Sequence, residues 1–437
     1  MLREILPALL CSAAIAQAAS PESTPYIHGN PTAEEQYMLE LINRARAAPE
    51  SEGIFLATTK NPSIRFATDF FEVNLKRLKS DFASYASQPP MAFNPLLMAS
   101  SRRHSKDMAK NNFQDHVGTD GSTLVDRIAD TGYIASAMSE SIYSNLVSDT
   151  LFAHAGFNID WGVGVDGIQA GFGHRKAIMG LGAIDYREIG IGIVSRTGAD
   201  ADKFGKLSIT QDYGNRAFSP SFLVGVAYYD LNGNNICDPG EGVSGVRVQP
   251  AVGSRHAITS GSGGYAIPFS VASGPSSVTF SGGGLESPVV QDFNIAADNV
   301  KVDLRITSGV PFVALNALDT LAGESGSLGG ASFQLVRVGP VEGELKVVIG
   351  TNAVGAAAAS TDDYKLSAAA PAGIKTSNAK PGRFVVTIPA NRTTAEIKLA
   401  AVSDKLNEPT EKAVFSIVPS NAYRTGELQS VKITIKP

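Results

Sequence analysis

Cysteine is almost absent from this sequence, with only Cys11 and Cys237 among 437 residues, so a disulfide-stabilised scaffold is excluded. Charged residues are also scarce, at 18 %, and the formal net charge is −5. This balance does not favour binding to a polyanion, and we expect no nucleic-acid partner. No run after the N-terminus reaches the roughly 18 apolar residues that a membrane span needs. What is present is 43 % hydrophobic residues, enough to bury a core and to exclude wholesale disorder.

The N-terminus has the pattern of a secretory signal peptide. Arg3 precedes an apolar stretch over residues 5–15, and Ala16-Gln17-Ala18 supplies the small residues of a cleavage site. The alternative, an ordinary N-terminal helix, does not account for that small-residue end. We therefore predict a signal peptide over residues 1–18 and an exported chain. Cleavage would remove Cys11, so that Cys237 has no intrachain partner.

Residues 30–216 carry the helical patterns of the chain. The predicted helix starts are a capping box at Thr32 and Glu35, a cap followed by proline at Asn94-Pro95, and Ser122, whose helix ends at Gly132. Two alternating runs, residues 188–196 and 206–213, then predict strands. Helices followed by late strands indicate an α+β domain.

The amino-acid composition changes after Pro220, where the chain is rich in glycine, serine and valine. Short alternating strands separated by turn residues predict two β-sandwich modules, over residues 221–306 and 311–437. The fold class is therefore α+β, with a mixed N-terminal domain followed by two all-β modules. At roughly 150 residues per domain, the length also predicts about three domains.

Two histidines and an acidic residue are the first candidate site. His116 and His174, with Glu140 between them in sequence, could converge on a divalent metal such as zinc, or the carboxylate could serve as a base. Such scattered residues carry little weight alone. His104 and His154 lie on apolar stretches, and these two are expected to be packed, hydrogen-bonded residues instead.

The segments HSKDMAKNNFQDHVGTDGSTLVDRI, SESIY, GFGHRKAIM, YREIGIGIV and SITQDYG, in this order, resemble the CAP superfamily of cysteine-rich secretory, antigen 5 and pathogenesis-related proteins. The resemblance covers about residues 32–215 and implies an α-β-α sandwich. It also implies a cleft lined by two histidines and two acidic residues. The matching positions are His116, Glu140 and His174, with Asp160 as the fourth residue and Asp166 in reserve.

The resemblance implies no single activity, because members of the superfamily act through binding sterols, lipids or proteins, and protease activity has also been proposed. Neither a G-x-S-x-G nor an H-E-x-x-H motif occurs in the chain. We therefore expect a secreted binding or adhesion protein for an extracellular lipid, peptide or glycan, or for a cell-surface or matrix partner. The alternative is a metal-assisted extracellular hydrolase that uses His116 and His174. Arg175 is expected to have a structural role, in which it pairs with Glu188 or caps a turn.

A second candidate site has the spacing of a calcium loop. Oxygen-bearing side chains recur at EF-hand positions in one twelve-residue run, Asp230, Asn232, Asn234, Asp238 and Glu241, with the carbonyl of Ile236 between them. Asn235 stands where an EF-hand has glycine, and asparagine tolerates a left-handed turn. A plain Asn-Gly hairpin turn is the alternative. The flanks read as strands, and Cys237 faces away from the oxygens.

GVAYYDLNGNNICDPGEGVSGVRV resembles the B-type repeats of Gram-positive surface adhesins, which are calcium-binding β-sandwiches, and the resemblance covers about 221–306. The last module, about 311–437, resembles the Calx-beta domain in GESGSLGGASFQLVRVG, TDDYKL and VTIPANRTTAEIKLAAVSDKLNEPTEKAVFSIV. That second resemblance implies a further calcium site at Glu324, Asp363, Asp404, Glu408 and Glu411. Lys405 would repel a cation there, which favours a spacer or adhesion role.

Overall fold

The computed structural model describes residues 23–145, 147, 149–196, 205–269, 272–306, 310–324, 329–352, 359–376, 382–403, 409–425 and 428–437. The predicted signal peptide and part of the second predicted calcium site lie outside these ranges. No helix in the described ranges is both long and apolar enough to cross a membrane.

The N-terminal part contains every α-helix of the described residues. These are α1 (Ala33–Ala47), α2 (Pro49–Thr58), α3 (Pro62–Phe70), α4 (Leu75–Ala83), α5 (Pro95–Asn111), α6 (Leu124–Asp130), α7 (Thr150–Ile159) and α8 (Gly173–Met179). The strands are β1 (Thr24–Pro25), β2 (Ala92–Phe93), β3 (Ala137–Asn145), β4 (Glu188–Ser195) and β5 (Leu207–Asn215). Four of them form one sheet in the order β2-β4-β5-β3, with β2 parallel to β4 and the other pairs antiparallel.

Alternation along β4 places helices on both faces of this sheet. Ile189 and Ile191 enter the main core together with residues from α1, α7 and α8. Gly190 and Gly192 face α5 so closely that a Cβ on Gly190 would lie 2.1 Å from the backbone of Leu97. The glycines thus let α5 pack directly on the sheet, and the expected α-β-α layering is confirmed.

Local capping explains where the helices begin. Thr32 and Glu35 form the predicted capping box, and the side chain of Asn94 accepts hydrogen bonds from the first turn of α5. The expected start at Ser122 is one residue early, because Thr123 is the cap and forms a capping box with Asp126. Helices α2, α3, α4, α7 and α8 were not predicted, although Asn61-Pro62 opens α3 with the same cap-and-proline signal as α5.

The following part is built of strands β6 (Ser221–Tyr228), β7 (Val246–Pro250), β8 (Arg255–Ile258), β9 (Gly264–Phe269), β10 (Gly274–Gly282), β11 (Val289–Ile295), β12 (Val300–Lys301) and β13 (Leu304–Arg305). One sheet has the order β1-β8-β7-β10-β11, and the other has the order β12-β6-β13 with β9 also paired to β6. Buried side chains such as Leu223, Tyr265 and Phe280 belong to a single cluster with residues from both sheets. This is a β-sandwich, as expected.

The C-terminal part is a second sandwich of strands β14 (Phe312–Asp319), β15 (Leu321–Gly323), β16 (Ala331–Val338), β17 (Leu345–Asn352), β18 (Tyr364–Ala368), β19 (Gly373–Thr376), β20 (Arg383–Ile388), β21 (Thr394–Ala401), β22 (Glu411–Ile417), β23 (Arg424–Thr425) and β24 (Ser430–Lys436). Its sheets have the orders β18-β21-β16-β14-β23 and β15-β24-β22-β17-β20-β19. Phe333 of one sheet stacks on Phe415 of the other, with ring centroids 5.0 Å apart.

The helical part and the first sandwich share an extensive contact. The side chain of Asn299 donates hydrogen bonds to the carbonyls of Pro90 and Arg187, at 2.9 and 2.8 Å, and accepts one from the amide of Phe222. Phe222 packs in a small apolar cluster with Ala92 of β2. The two parts are therefore held against each other by buried polar and apolar contacts.

Candidate functional site

The structure arranges the four predicted cleft residues as two histidine–carboxylate pairs. Nδ1 of His116 lies 2.7 Å from Oε1 of Glu140, and Nδ1 of His174 lies 2.8 Å from Oδ1 of Asp160. Both carboxylates are almost completely buried, whereas the side chains of His116 and His174 are 59 % and 29 % exposed. Each imidazole is thus oriented through Nδ1, and its Nε2 is left as the second functional nitrogen.

The first pair is assembled by Arg127 of α6. This guanidinium is buried and donates to Oε2 of Glu140 at 2.5 Å, and it also donates to the backbone carbonyl of His116 at 3.2 Å. Arg127 therefore fixes both the carboxylate on β3 and the loop that carries the histidine. The hydrogen bond that Glu140 accepts from the imidazole raises the pKa of His116. Burial opposes ionisation of Glu140, but the contacts with His116 and Arg127 outweigh it and lower the Glu140 pKa.

The second pair depends on the end of α7. Asp160 ends this helix in the left-handed conformation, at φ 56°, which turns its carboxylate toward the first turn of α8. Its Oδ2 accepts the backbone N–H of His174 at 3.1 Å while its Oδ1 contacts the ring. The reserve position, Asp166, lies elsewhere and pairs with Arg77 at 2.6 Å and with Asn74. Of the two acidic candidates in this segment, Asp160 contacts the histidine.

A series of ring contacts joins the second pair to strand β3. The ring of His174 contacts Phe157 at 5.4 Å between centroids, and Phe157 contacts Tyr143 at 5.6 Å. Tyr143 lies on the same strand as Glu140. Within the described ranges, however, no group of three or more His, Cys, Asp or Glu side chains is placed to hold a metal ion. A zinc ion shared by His116 and His174 therefore stays a prediction.

His104, His154 and Arg175 have internal partners. His104 is buried and its Nε2 lies 2.8 Å from the carbonyl of Asp115, and buried His154 lies 3.0 Å from Glu52. Arg175 does not pair with Glu188, contrary to one expectation. It donates to the carbonyls at the end of α7 and pairs with Asp81. Glu188 is bound by Arg216 instead, at 2.7 Å.

Sequence reasoning missed a buried carboxyl behind the first pair. Asp212 of β5 is directly opposite Glu140 of β3 in the antiparallel register, so their side chains lie on one face of the sheet. Both oxygens of Asp212, like the hydroxyl of Ser100, lack a hydrogen-bond partner within the described residues. Burial and then the charge of Glu140 raise the pKa of Asp212 well above its usual value. The only sequence signal was a carboxylate in an otherwise uncharged strand.

This carboxyl predicts a pH-dependent stability. Because its pKa is higher in the folded protein than in the unfolded chain, Asp212 contributes most below about pH 3.9, and that contribution is lost as the pH rises through the folded value. We expect Asp212→Asn to melt higher than the wild type at pH 8 and the difference to shrink toward pH 4. Calorimetry across this range would measure it. An exposed carboxyl on β11 provides the control Asp292→Asn, and equal pH dependence of the two variants would contradict the expectation.

The predicted calcium loop is folded around its own carboxylates. Asp230 accepts backbone N–H groups from Gly233, Asn234 and Asn235, at 2.8 to 3.1 Å, and Glu241 accepts those of Leu231 and Asp238. Asn235 adopts the left-handed conformation expected for its position, at φ 61°. The loop is thus a compact turn with its acidic side chains directed inward.

In the described residues, the three carboxylates of this loop are not placed as a group that could hold a metal ion, so calcium binding here stays a prediction. The side-chain amides of Asn232 and Asn234 both donate to Oδ2 of Asp238, at 2.6 Å. Burial, and then repulsion from Asp238 and Asp230, raises the pKa of Glu241 to about 7. A bound calcium ion would relieve that repulsion, and Ile236 would offer its carbonyl between the side chains. Cys237 is buried against Val226 and Tyr228, away from these oxygens.

The second predicted calcium site is only partly within the described ranges. Asp404 and Glu408 lie outside them. The carboxylate of Asp363 accepts the backbone N–H of Ser360, Glu324 follows β15, and Glu411 begins β22. These positions give no arrangement from which a cation site can be built.

No protein-family model matches the chain, and no curated protein matches it either. Solved structures that are partly similar include the apo form of the Calx CBD1 domain, at 12 % identity over 29 % of this chain and 98 % of that domain, with a TM-score of 0.21. An extracellular protein containing an SCP domain from Bacillus anthracis shares 20 % identity over 36 % of this chain, with a TM-score of 0.22. This chain covers 41 % of that protein's length. A cohesin module from a Clostridium perfringens family 33 glycoside hydrolase is 12 % identical over 30 % of this chain and all of the module, with a TM-score of 0.20.

Proposed function

We propose that this chain is a secreted, non-catalytic binding or adhesion protein in which a CAP-like domain, residues 30–216, is presented by two β-sandwich modules, residues 221–306 and 311–437. One observation supports binding over hydrolysis most directly. In the described part of the chain, no serine, threonine or cysteine side chain hydrogen-bonds to the imidazole of His116 or His174. A histidine without a nucleophile beside it lacks the arrangement of covalent acyl transfer.

The ligand in this proposal is an extracellular lipid, peptide or glycan, or a cell-surface or matrix partner. The two sandwiches hold the CAP-like domain away from the surface to which the chain attaches. Calcium in the loop from Asp230 to Glu241 stiffens the first sandwich next to the helical part. The loop lies next to that part, because burial and then the nearby charge of Asp238 raise the pKa of Tyr37 on α1.

The alternative is a metal-assisted extracellular hydrolase, and the orientation of the two imidazoles favours it as the second candidate. Metal-binding histidines characteristically direct their other ring nitrogen to a carboxylate, as His116 and His174 do. A zinc ion bound through the two Nε2 atoms would act as a Lewis acid toward a carbonyl or lower the pKa of a bound water. Two imidazoles alone make a weak, open site.

Variants at the two histidines separate these functions. We expect the wild type and the double variant His116→Ala, His174→Ala to be equally inactive on peptide and ester panels, with or without a chelator, and to attach equally to their surface partner. Metal content measured by elemental analysis would accompany the assays. His256→Ala provides a matched control in the first sandwich. Hydrolysis that both a chelator and the double variant abolish would refute the binding proposal and establish the alternative.

A further inference from the structure

A deep apolar groove lies on the helical part, outside the two histidine pairs. Its volume is about 570 Å³, within the usual range of small-molecule sites, and it lies between α3, the end of β3 and α7. Six of its lining residues are aromatic: Phe66, Phe70, Phe71, Tyr143, Phe152 and Trp161. The groove is therefore a concave surface built mainly of flat apolar rings.

The rim of the groove exposes two phenylalanines that the fold does not bury. Phe66 and Phe70 are one helical turn apart on α3, their rings stack at 6.1 Å, and they are 72 % and 69 % exposed. Isolated exposed apolar residues are normal on protein surfaces. Two adjacent rings at the mouth of an apolar groove form a continuous patch, which is typical of a binding surface.

The polar groups of the groove wall are few. Oγ of Ser144 lies 3.4 Å from Oγ of Ser208, and burial raises the pKa of Tyr143, so its hydroxyl stays neutral. Phe152 packs on Trp161 at 5.2 Å between ring centroids. Among the described residues that line the groove, none is Asp, Glu, Lys, Arg or His, and the polar side-chain groups are serine and tyrosine hydroxyls and the indole N–H of Trp161.

The apolar lining of the groove favours one of the ligand classes named in the proposed function. A glycan needs several polar partners across its hydroxyl groups, and burying such groups without hydrogen bonds is costly. A phosphate or free carboxylate in the groove would have no cation to pair with among the lining residues. A hydrocarbon body, by contrast, gains from every aromatic ring that it covers.

We propose that this groove binds one molecule of an uncharged lipid, with its hydrocarbon body against the six aromatic rings. The inference rests on the binding role proposed above and assigns that role to a place and a ligand class. The groove is close to the second histidine pair, because Trp161 directly follows Asp160 in the chain and Tyr143 reaches His174 through Phe157. A lipid in the groove would therefore lie beside that pair without needing its chemistry.

The single tryptophan of the chain makes the proposal directly measurable. Trp161 is the only tryptophan in the sequence and lines the groove. The probe is methyl cis-parinarate, an uncharged fatty ester whose polyene accepts energy from tryptophan. With the full chain, we expect saturable energy transfer from Trp161 at a one-to-one ratio. The free acid is expected to bind at least about tenfold more weakly, which corresponds to about 1.4 kcal/mol.

Substitutions at the rim and inside the groove locate the binding. The double variant Phe66→Ser, Phe70→Ser should weaken binding at least about tenfold. Both residues are largely exposed, so the fold should tolerate the changes. Ile134→Ser is the matched control, because Ile134 is 83 % exposed in the same part of the chain and does not line the groove. As a second variant, Ser63→Phe should fill the groove and abolish energy transfer while the melting temperature stays unchanged.

Several outcomes would overturn the proposal. The first two are energy transfer that does not saturate and equal binding of the ester by the rim variant and the control. The third is binding of the chain to neutral phosphatidylcholine vesicles with no energy transfer from Trp161 to dissolved ester. The fourth is dimerisation that depends on Phe66 and Phe70. Failure here is distinguishable from failure of the proposed function. A chain that binds no lipid but still attaches to its partner loses only the groove proposal. A chain that binds the ester and also hydrolyses substrates through His116 and His174 loses only the non-catalytic role.

Discussion

Calcium should raise the melting temperature of the wild-type chain and leave that of the double variant Asp230→Ala, Glu241→Ala unchanged. A ligand that binds only the folded state stabilises it by about 2.7 kcal/mol when its concentration is a hundredfold above the dissociation constant. Extracellular calcium modules have dissociation constants of about 10⁻⁴ to 10⁻³ M, so titration with calcium into the tens of millimolar covers the range. Scanning calorimetry with calcium and with chelator would measure the shift.

The physical reason is the charge that the loop holds in the absence of a cation. Asp230 has one cationic partner, Arg305, at 3.1 Å, and no cationic side chain is paired with Glu241 in the described residues. Calcium bound by the carboxylates of the loop would supply the missing positive charge. The effect should therefore depend on the carboxylates, and Glu241→Gln, which keeps the size of the side chain, should lose most of it.

The pH dependence of this stabilisation has a definite sign. With a pKa of about 7, Glu241 is protonated in much of the metal-free protein below neutral pH, and a protonated carboxyl is a poor calcium ligand. Calcium should therefore stabilise the chain less at pH 6 than at pH 8. Magnesium, which prefers a stricter octahedral geometry, is the control ion. Identical melting curves of the wild type with calcium and with chelator would refute the calcium site.

Local signals in the sequence predicted the parts of the fold that they determine. Capping at Thr32 and Asn94 predicted the first residue of α1 and of α5 correctly, because the cap and the first turn are neighbours in the chain. The strand predicted over 188–196 is observed as β4, Glu188–Ser195. This prediction also succeeded because the alternation of side chains is a local property of the sequence. The two sandwiches followed from the regular spacing of short strands.

Features that depend on packing between distant segments could not be predicted in this way. Asp212 is buried because α5 covers the second face of β5, and the alternation of that strand does not show that both faces are buried. The choice of Asp160 over Asp166 depends on one left-handed residue at the end of α7. The aromatic groove combines residues 62–71 with residues 143–161, and its rim belongs to α3, a helix that was not predicted from the sequence.

The contact between the helical part and the first sandwich contains a buried ion pair. Nζ of Lys301 on β12 lies 2.9 Å from Oε2 of Glu40 on α1, and it also pairs with Asp303. Glu40 is only 6 % exposed, and its other oxygen accepts a hydrogen bond from Gln36. Burial raises the pKa of Glu40, whereas the two carboxylates outweigh burial at Lys301 and raise its pKa. The ionised pair is therefore stable only while both partners are present.

Replacing Lys301 by methionine should lower the free energy of unfolding by about 3–5 kcal/mol, because it leaves Glu40 buried without a cation. The double variant Glu40→Gln, Lys301→Met should regain most of the loss, since replacing both charges removes the uncompensated one. Lys346→Met is the control, because its pair with Glu344 is exposed and such pairs contribute at most about 1 kcal/mol. Denaturant titration would measure all three variants. If Lys301→Met cost no more than Lys346→Met, the contact between the helical part and the sandwich would not depend on this pair.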